Sequence, residues 1–333
     1  MTSPTPVPAG ATVADLGEFG LIRAFVGRFE QGPQVFVGPG DDAAVLRAPK
    51  GHVVVSTDLL VENRHFRRDW ASAGDIGRRA AAQNLSDINA MGGRGTALTV
   101  GLALPPDLPA QWVLDLADGI AAEAALVGAS IIGGDVTRGS EVVIAVTVLG
   151  ECEVAPVLRS GARPGDVLAI AGRQGWAAAG LAVLGRGFRS PRAVVAAHQR
   201  PEPPYGAGTA AARGGATSMI DVSDGLVADV GHLADGSGVL IDLWSAAFEV
   251  DEPLVAVGAA LGVDPMAFIL GGGEDHPLVA TFPAGVPLPE GFRAIGSVAA
   301  VAEEGPGVSG VPGVPGVTVD GAPYEGDPGW THF

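Results

Sequence analysis

Five short stretches of this chain end an apolar run or open a glycine turn with aspartate: GPGDDAAVL (38–46), VVVSTD (53–58), NLSDINAMGG (84–93), IIGGDVTRG (131–139) and MIDVSDGL (219–226). The residues of interest are Asp42, Asp58, Asp87, Asp135 and Asp221. A carboxylate where a strand gives way to a loop stands on a rigid support with its charge in a cleft, the placement that a phosphate site with several magnesium ions needs. Each stretch also has a plain structural reading. Gly-Asp at 40–42 is an ordinary turn. Asn84, on a helix with Asp87, could satisfy buried backbone. GGD at 133–135 makes either a tight turn or a close backbone approach to phosphate. DVSDG (221–225) precedes a helix that Ser or Asp would cap, and a helix N-terminus also attracts anions. STD at 56–58 puts three oxygen-bearing side chains after an apolar strand, where they could ligate metal together. GGGED (271–275) is a glycine loop with two acids, either a solvated bend or part of a site.

Other ways of handling phosphate are missing. There is no GxxxxGK[ST], and the single lysine, Lys50, sits in a turn far from any glycine-rich strand-to-helix loop. The lysine strand, HRD loop and DFG of protein kinases are absent too, as is a GxSxG nucleophile turn. If the chain binds ATP, divalent metals and arginines must neutralise the phosphates. A net charge of −17, from 37 acidic and 20 basic residues, argues against nucleic acid as a partner. The one cysteine, Cys152, excludes an internal disulfide and a thiolate zinc cluster. No apolar run is long enough for a membrane span, and MTSPTPVPAG has neither a basic nor an apolar leader segment. These features lead us to expect a soluble, cytoplasmic protein.

The elements that must position the acids follow from periodicity. Residues 1–14 read as a disordered lead, and 18–29 as a helix. A strand pair is expected at 43–47 and 52–57, then a helix over 73–91 carrying Asn84 and Asp87. Strand 96–104, helix 109–127, a short strand 130–133 and strand 141–150 complete a first domain of α+β pattern, spanning 15–158. RSGARPGD (159–166) is a turn-rich join, after which a second, α/β domain runs over 159–333. Its strands are expected at 167–172, 216–222, 238–243, 277–282 and 292–297, with helices at 176–186, 192–199, 206–213, 225–235 and within 252–270. The Gly/Pro/Val stretch 303–317 reads as a mobile loop.

In order along the chain, GEFGLI (17–22), GPGDDAAVL, STDLLVENRHF (56–66), NLSDINAMGG, GGDVTRG, RSGARPGD, DVSDGLVADVGHLA (221–234), GGGED and GWTHF (329–333) resemble the thiamine-monophosphate kinase family of the AIR synthetase-like superfamily. The resemblance covers almost the whole chain. It implies transfer of the ATP γ-phosphoryl group to thiamine monophosphate, giving thiamine diphosphate and ADP, the last step of thiamine diphosphate synthesis. The implied fold has two AIR synthetase-like domains, and the N-terminal mixed sheets of two subunits pair into a barrel, so a homodimer is expected. Position by position, the resemblance makes Asp42, Ser56, Thr57, Asp58, Asp87, Asp135, Asp221 and Asp224 ligands of several Mg²⁺ ions. Gly134, Asp135, Arg159 and Ser223 would hold ATP, and His65, Glu274 and Trp330 would contact thiamine monophosphate. GGGED is usually followed by an aromatic residue in this family, whereas here His276-Pro277 follows.

The acceptor in such a reaction is already an anionic phosphate oxygen, so no strong general base is needed. Asp58, Asp87 and Asp221 would act through metal, in a direct in-line transfer. Other superfamily members fit less well. Selenophosphate synthetase carries a reactive Cys or selenocysteine near its start, and the hydrogenase-maturation protein HypE ends in a cysteine, whereas this chain ends His332-Phe333. AIR and FGAM synthetases match STDLLVENRHF and GWTHF less well. A non-catalytic metal- or nucleotide-binding regulator is the alternative of a different class.

Overall fold

The computed structural model describes residues 7–26, 28–37, 45–49, 51–301 and 315–329. They belong to two compact units, one of Met1–Ile88 and Arg94–Cys152, the other of Asn89–Gly93 and Glu153–Phe333. Asp42 and Trp330 lie outside the described residues, as does 303–314 of the Gly/Pro/Val stretch.

The first unit contains α1 (Val13–Val26), β1 (Val35–Val37), β2 (Val45–Leu46), β3 (Val54–Val61), α2 (Ala73–Ala90), β4 (Gly93–Leu104), α3 (Ala110–Val127), β5 (Ser130–Arg138) and β6 (Val143–Cys152). Two of its helices begin with a Thr/Ser-x-x-Asp box. The Asp15 N–H donates to Thr12 Oγ1 while Asp15 accepts the Thr12 N–H, and Ser72 and Asp75 are joined in a related way before α2. Residues 11–14 are not a disordered lead. The Ala11 carbonyl accepts the Ala110 N–H, and the Val13 and Ala14 N–H groups donate to Leu108 and Pro106 carbonyls, so this segment is tied to the turn before α3.

The main sheet of this unit has the order β3-β6-β4-β5, with β3/β6 antiparallel and β4/β5 parallel, a mixed sheet in which α3 makes the crossover. β3 pairs along its whole length with β6, and β2 pairs with β1 instead, so the expected pairing of 43–47 with 52–57 does not form. Alternation along β6 buries Ile144, Val146 and Val148 on one face. On the other face Val55 and Leu59, opposite Leu149 and Ala145, remain 56% and 54% exposed. Cys152, at the end of β6, is half-buried, and burial pushes its thiol pKa up, away from the reactive thiolate.

The second unit contains β7 (Val167–Ala171), α4 (Trp176–Gly185), α5 (Arg192–Gln199), α6 (Ala207–Arg213), β8 (Ser218–Asp221), α7 (Leu226–Ser237), β9 (Val239–Leu243), α8 (Glu252–Leu261), α9 (Pro265–Leu270), β10 (Leu278–Phe282), β11 (Phe292–Ala300), β12 (Gly316–Val319) and β13 (Ala322–Pro323). Seven strands form one sheet in the order β13-β12-β9-β11-β7-β10-β8. Its central strands read as unbroken apolar runs because both faces are covered: every residue of β10 is buried, and so are Leu168–Ala171 of β7. Phe282 meets Phe292 edge to face at 5.5 Å between ring centroids. Gly316 and Val317 start β12, which runs parallel to β9 and buries Val317, so the end of the Gly/Pro/Val stretch is strand and not loop. β8 ends at Asp221 in register with Leu278 of β10, which sets the turn after β8 beside the GGGED loop.

Candidate functional site

In the first unit, strand period and helix period together build a cluster of oxygen ligands. Ser56 and Asp58 are two apart on β3 and therefore share a face, while Asn84 and Asp87 are three apart on α2 and share a stripe. Ser56 Oγ donates to Asp87 Oδ2 at 2.6 Å. The Asp58 N–H donates to Asn84 Oδ1 at 3.1 Å, and Asn84 Nδ2 donates to the Ala80 carbonyl at 2.9 Å. Asn84 is completely buried, and its amide serves backbone groups, the plainer of the two roles open to it. Ser56, Asp58 and Asp87 are only partly buried and keep access to solvent.

The same alternation separates Thr57 from its neighbours. Its hydroxyl is 2.8 Å from Thr147 Oγ1, in register across β3/β6, so it lies on the opposite face from Ser56 and Asp58. The three side chains of STD therefore do not converge. Of the two readings of GGD, the tight turn does not form, since Gly133, Gly134 and Asp135 lie inside β5. Gly134 is required by close packing, because a Cβ there would sit 1.9 Å from the Val100 carbonyl oxygen. Asp135 is exposed on that strand. β3 and β5 are the two outer strands of the sheet, three strand spacings or about 14 Å apart, so Asp58 and Asp135 of one chain stand on opposite edges.

His65 is oriented by the turn after β3. Its Nδ1 accepts the Val61 N–H at 2.9 Å, which places the proton of the neutral ring on Nε2 and makes that nitrogen a donor. Next to it, Glu62 is buried and accepts from the Val142 N–H at 3.1 Å and from Arg68 Nε at 2.5 Å.

In the second unit the acids gather at the turn between β8 and α7. Asp221 is 4% exposed, and its Oδ2 lies 3.1 Å from His276 Nδ1. Ser223 and Asp224 are partly buried. The N–H groups of Ser223, Asp224 and Gly225 all donate to Oδ2 of Asp229, at 3.0, 3.0 and 3.1 Å. Burial pushes the Asp229 pKa up to about 7; the backbone donors pull against that rise, and the charges of Asp221 and Asp224 add to it. The helix N-terminus that could have taken a phosphate is thus occupied by a carboxylate of the same chain.

The GGGED loop lies against this turn. The Glu274 N–H donates to the Ser223 carbonyl at 2.9 Å, and a Cβ on Gly273 would sit 2.0 Å from that same oxygen. Glu274 and His276 both have left-handed backbone, at φ 71° and 53°. The two acids of the loop part company: Glu274 is partly buried, while Asp275 is buried and accepts the Ala177 N–H at 2.9 Å, capping α4. Burial pushes the Asp275 pKa up to about 6 against the pull of the Ala177 N–H and of Arg173. Gln174 donates to the carbonyls of Ile269 and Gly272 and secures the loop from the other side. Arg159 is exposed, with its carbonyl accepting from Ser237 Oγ at 3.2 Å.

Asp229 and Gln174 escaped the sequence reading, which noted Asp275 and His276 without giving either a role. The one signal available was Asp229 four residues after the cap position Gly225 and on the same helix face as the turn. Among the described residues, no three His, Cys, Asp or Glu side chains converge as a ready-made metal cage. The donors present are hard oxygens in ones and twos, which suits Mg²⁺, a cation that takes one or two carboxylates and completes its shell with water and phosphate. No helix among the described residues is long and apolar enough to cross a membrane.

Comparison with known proteins agrees with this architecture. The family model for the AIR synthase related protein, N-terminal domain, matches residues 40–152. A thiamine-monophosphate kinase of Mycobacterium tuberculosis is 47% identical over 97% of this chain and 93% of its own length. One from Corynebacterium glutamicum is 39% identical over 100% and 98%. A solved structure of AaThiL complexed with AMPPCP and TMP aligns with a TM-score of 0.75 at 30% identity, covering 98% of this chain and 100% of that one. With near full-length identity of this degree to curated relatives and a fold match over nearly the whole chain, the chain belongs to the thiamine-monophosphate kinase family and is a phosphotransferase.

Proposed function

We propose that the protein transfers the γ-phosphoryl group of ATP directly to the phosphate of thiamine monophosphate, giving thiamine diphosphate and ADP in the cytoplasm. The observation that carries this reading is the Ser56–Asp58–Asn84–Asp87 constellation, two solvent-accessible carboxylates held by a strand and a helix. The solved relative complexed with AMPPCP and TMP supplies the ligand chemistry by likeness. Bound Mg²⁺ would neutralise the charge of the two phosphate groups brought together.

In this reading Ser56, Asp58 and Asp87 are magnesium ligands from the first unit, together with Asp42 and Asp135. Thr57 would join them only through its main chain, since its hydroxyl is engaged with Thr147. From the second unit, Asp221 and Asp224 are proposed as further ligands. Gly134 would approach the nucleotide through its main chain beside Asp135, while Ser223 and the exposed Arg159 bind phosphate oxygens. For the acceptor, His65 offers its Nε2–H, Glu274 a carboxylate and Trp330 a π face for the cationic thiazolium. The acceptor oxygen is already anionic, so these residues orient and shield it instead of removing a proton.

We further propose a homodimer, with domains of 15–158 and 159–333 in each chain. Val55, Leu59, Ala145 and Leu149 form, around the bonded Thr57–Thr147 pair, a largely apolar sheet face that a second copy would cover. Closing two such four-stranded sheets edge to edge would set β3 of one copy beside β5 of the other. That arrangement would relieve the separation of Asp58 from Asp135 along the sheet.

The test is incubation of purified protein with ATP, Mg²⁺ and thiamine monophosphate, with free thiamine as control. Thiamine diphosphate is expected from the monophosphate alone, and no product from it would end the reading. With a chiral γ-phosphoryl group, inversion is expected from a single in-line transfer. Retention would mean a phosphoenzyme and would rule out direct transfer.

A further inference from the structure

The turn from Asp221 to Gly225 is held on both of its polar edges. On the carbonyl side, the Glu274 N–H donates to the Ser223 oxygen, and nearby the Val222 N–H donates to the Pro277 oxygen, both at 2.9 Å. On the amide side, three successive N–H groups open α7, a grouping that ordinarily binds a phosphate or another anion. Here all three converge on one oxygen of Asp229, a side chain only 3% exposed. Gly225 has no room for a side chain, because a Cβ there would sit 2.5 Å from the Pro328 carbonyl oxygen.

We infer that Asp229 is a positioning residue of the nucleotide site: its carboxylate fills the anion nest at the start of α7 and so sets the directions in which Asp221, Ser223 and Asp224 present their side chains. The inference rests on the proposed assignment of those three residues to metal and ATP. It has a chemical consequence. A nucleotide phosphate at this turn meets side chains and their cations and finds no backbone amide available, unlike the phosphate in a glycine-rich P-loop. In its ionised form, a carboxylate accepting three amide donors also makes charge-assisted bonds, stronger than those of the neutral amide that Asn would offer.

The test compares full-length wild type with Asp229→Asn, Asp229→Ala and Ser223→Ala. Asp229→Ala should raise KM for MgATP about tenfold or more and leave KM for thiamine monophosphate within about twofold, the scale seen when groups that orient metal ligands are lost. Formate, a small carboxylate that can enter the vacated nest, should bring the MgATP KM of that variant back to within about threefold and leave wild type unchanged. Asp229→Asn keeps an acceptor oxygen and should stay within about threefold. A folded Asp229→Ala protein with unchanged MgATP KM would overturn the inference, and so would equal losses in both variants with no response to formate. If Asp229→Ala does not fold, amide exchange at residues 223–225 in Asp229→Asn decides. Exchange several-fold faster than wild type supports the anchor, and unchanged exchange overturns it. Ser223→Ala separates the two ideas: no effect there refutes the ATP assignment, while an effect there but none in Asp229→Ala refutes the anchor alone.

Discussion

The first unit presents its acids from regular elements and the second from a turn. On β3 and α2, Ser56, Asp58 and Asp87 are held by side-chain bonds and stay accessible, and the oxygen ligands are spaced by strand and helix period. At the DVSDG turn and the start of α7, Asp221, Asp224 and Asp229 lie together, and one carboxylate oxygen of Asp229 takes three backbone donors. Acids on regular elements are positioned by the scaffold itself. Acids on a turn need an internal anion to keep the turn in shape. The first arrangement should fail through loss of ligands, and the second through loss of geometry.

The sharpest way to break this contrast is to remove a ligand from the first unit. Asp58→Asn or Asp87→Asn should lower turnover on the order of 10²–10³-fold, with the melting temperature nearly unchanged. Steady-state rates and thermal melts check this, and near wild-type turnover in either variant would remove Asp58 or Asp87 from the metal set. A second measurement uses the sheet edges. Asp58→Asn and Asp135→Asn proteins, each inactive alone, should regain up to about a quarter of wild-type activity when unfolded, mixed and refolded, since half of the dimers are then mixed and each of these has one intact site. No regain would show that the two aspartates act from the same chain.

Ser56→Ala should raise the Mg²⁺ concentration for half-maximal rate about 10-fold to 100-fold while leaving KM for thiamine monophosphate in place, because it removes one oxygen ligand and frees the Asp87 carboxylate to rotate. Titration of rate against Mg²⁺ would read this, and an unchanged midpoint would demote Ser56 to a structural role. Leu59→Asp, on the open apolar face, should shift sedimentation toward the monomer. A dimer that persists unchanged would place the interface elsewhere.

The smallest effect concerns pH and the second unit. Asp275 has its folded pKa raised to about 6 from 3.8. The folded state therefore holds the proton more tightly than the unfolded chain between those values. The stability this provides is complete below about pH 4 and lost as pH rises through about 6, a swing of roughly 2–3 kcal/mol at most. Asp275→Asn, which cannot ionise, should show a flatter unfolding free energy across that window in urea melts. Parallel curves for the two proteins would contradict the shift.

Much of the helical framework was legible in the sequence. Helix 73–91 was read within one residue of α2, and 109–127 and 176–186 were similarly close to α3 and α4, since a 3.6-residue apolar stripe is a local signal. The apolar runs at 167–172 and 277–282 gave two interior strands of the second sheet, since an unbroken apolar run is likewise a local signal. Pairing was harder to read. Residues 43–47 and 52–57 are close in the chain, yet β2 joins β1 and β3 joins β6. Nothing local distinguishes those partners. GGD reads as a tight turn or a close backbone approach to phosphate because glycine serves both, whereas β5 continues through it and Gly134 exists to clear the Val100 carbonyl of the neighbouring strand.

By itself the sequence determined which residue types are available for chemistry, the order of the motifs and thus the family, because these are properties of the chain that no neighbour alters. Only tertiary structure decided which of those residues face one another. Strand alternation and register sent Thr57 to the far side from Ser56 and Asp58, and sheet order placed Asp58 and Asp135 on opposite edges. Folding of α7 brought Asp229 onto the amides of residues 223–225. The physical reason is common to all three. Which face a side chain takes, which strand is its neighbour and which donor meets a buried acceptor are set by long-range packing and the need to satisfy buried polar groups, and neither is written in any one segment.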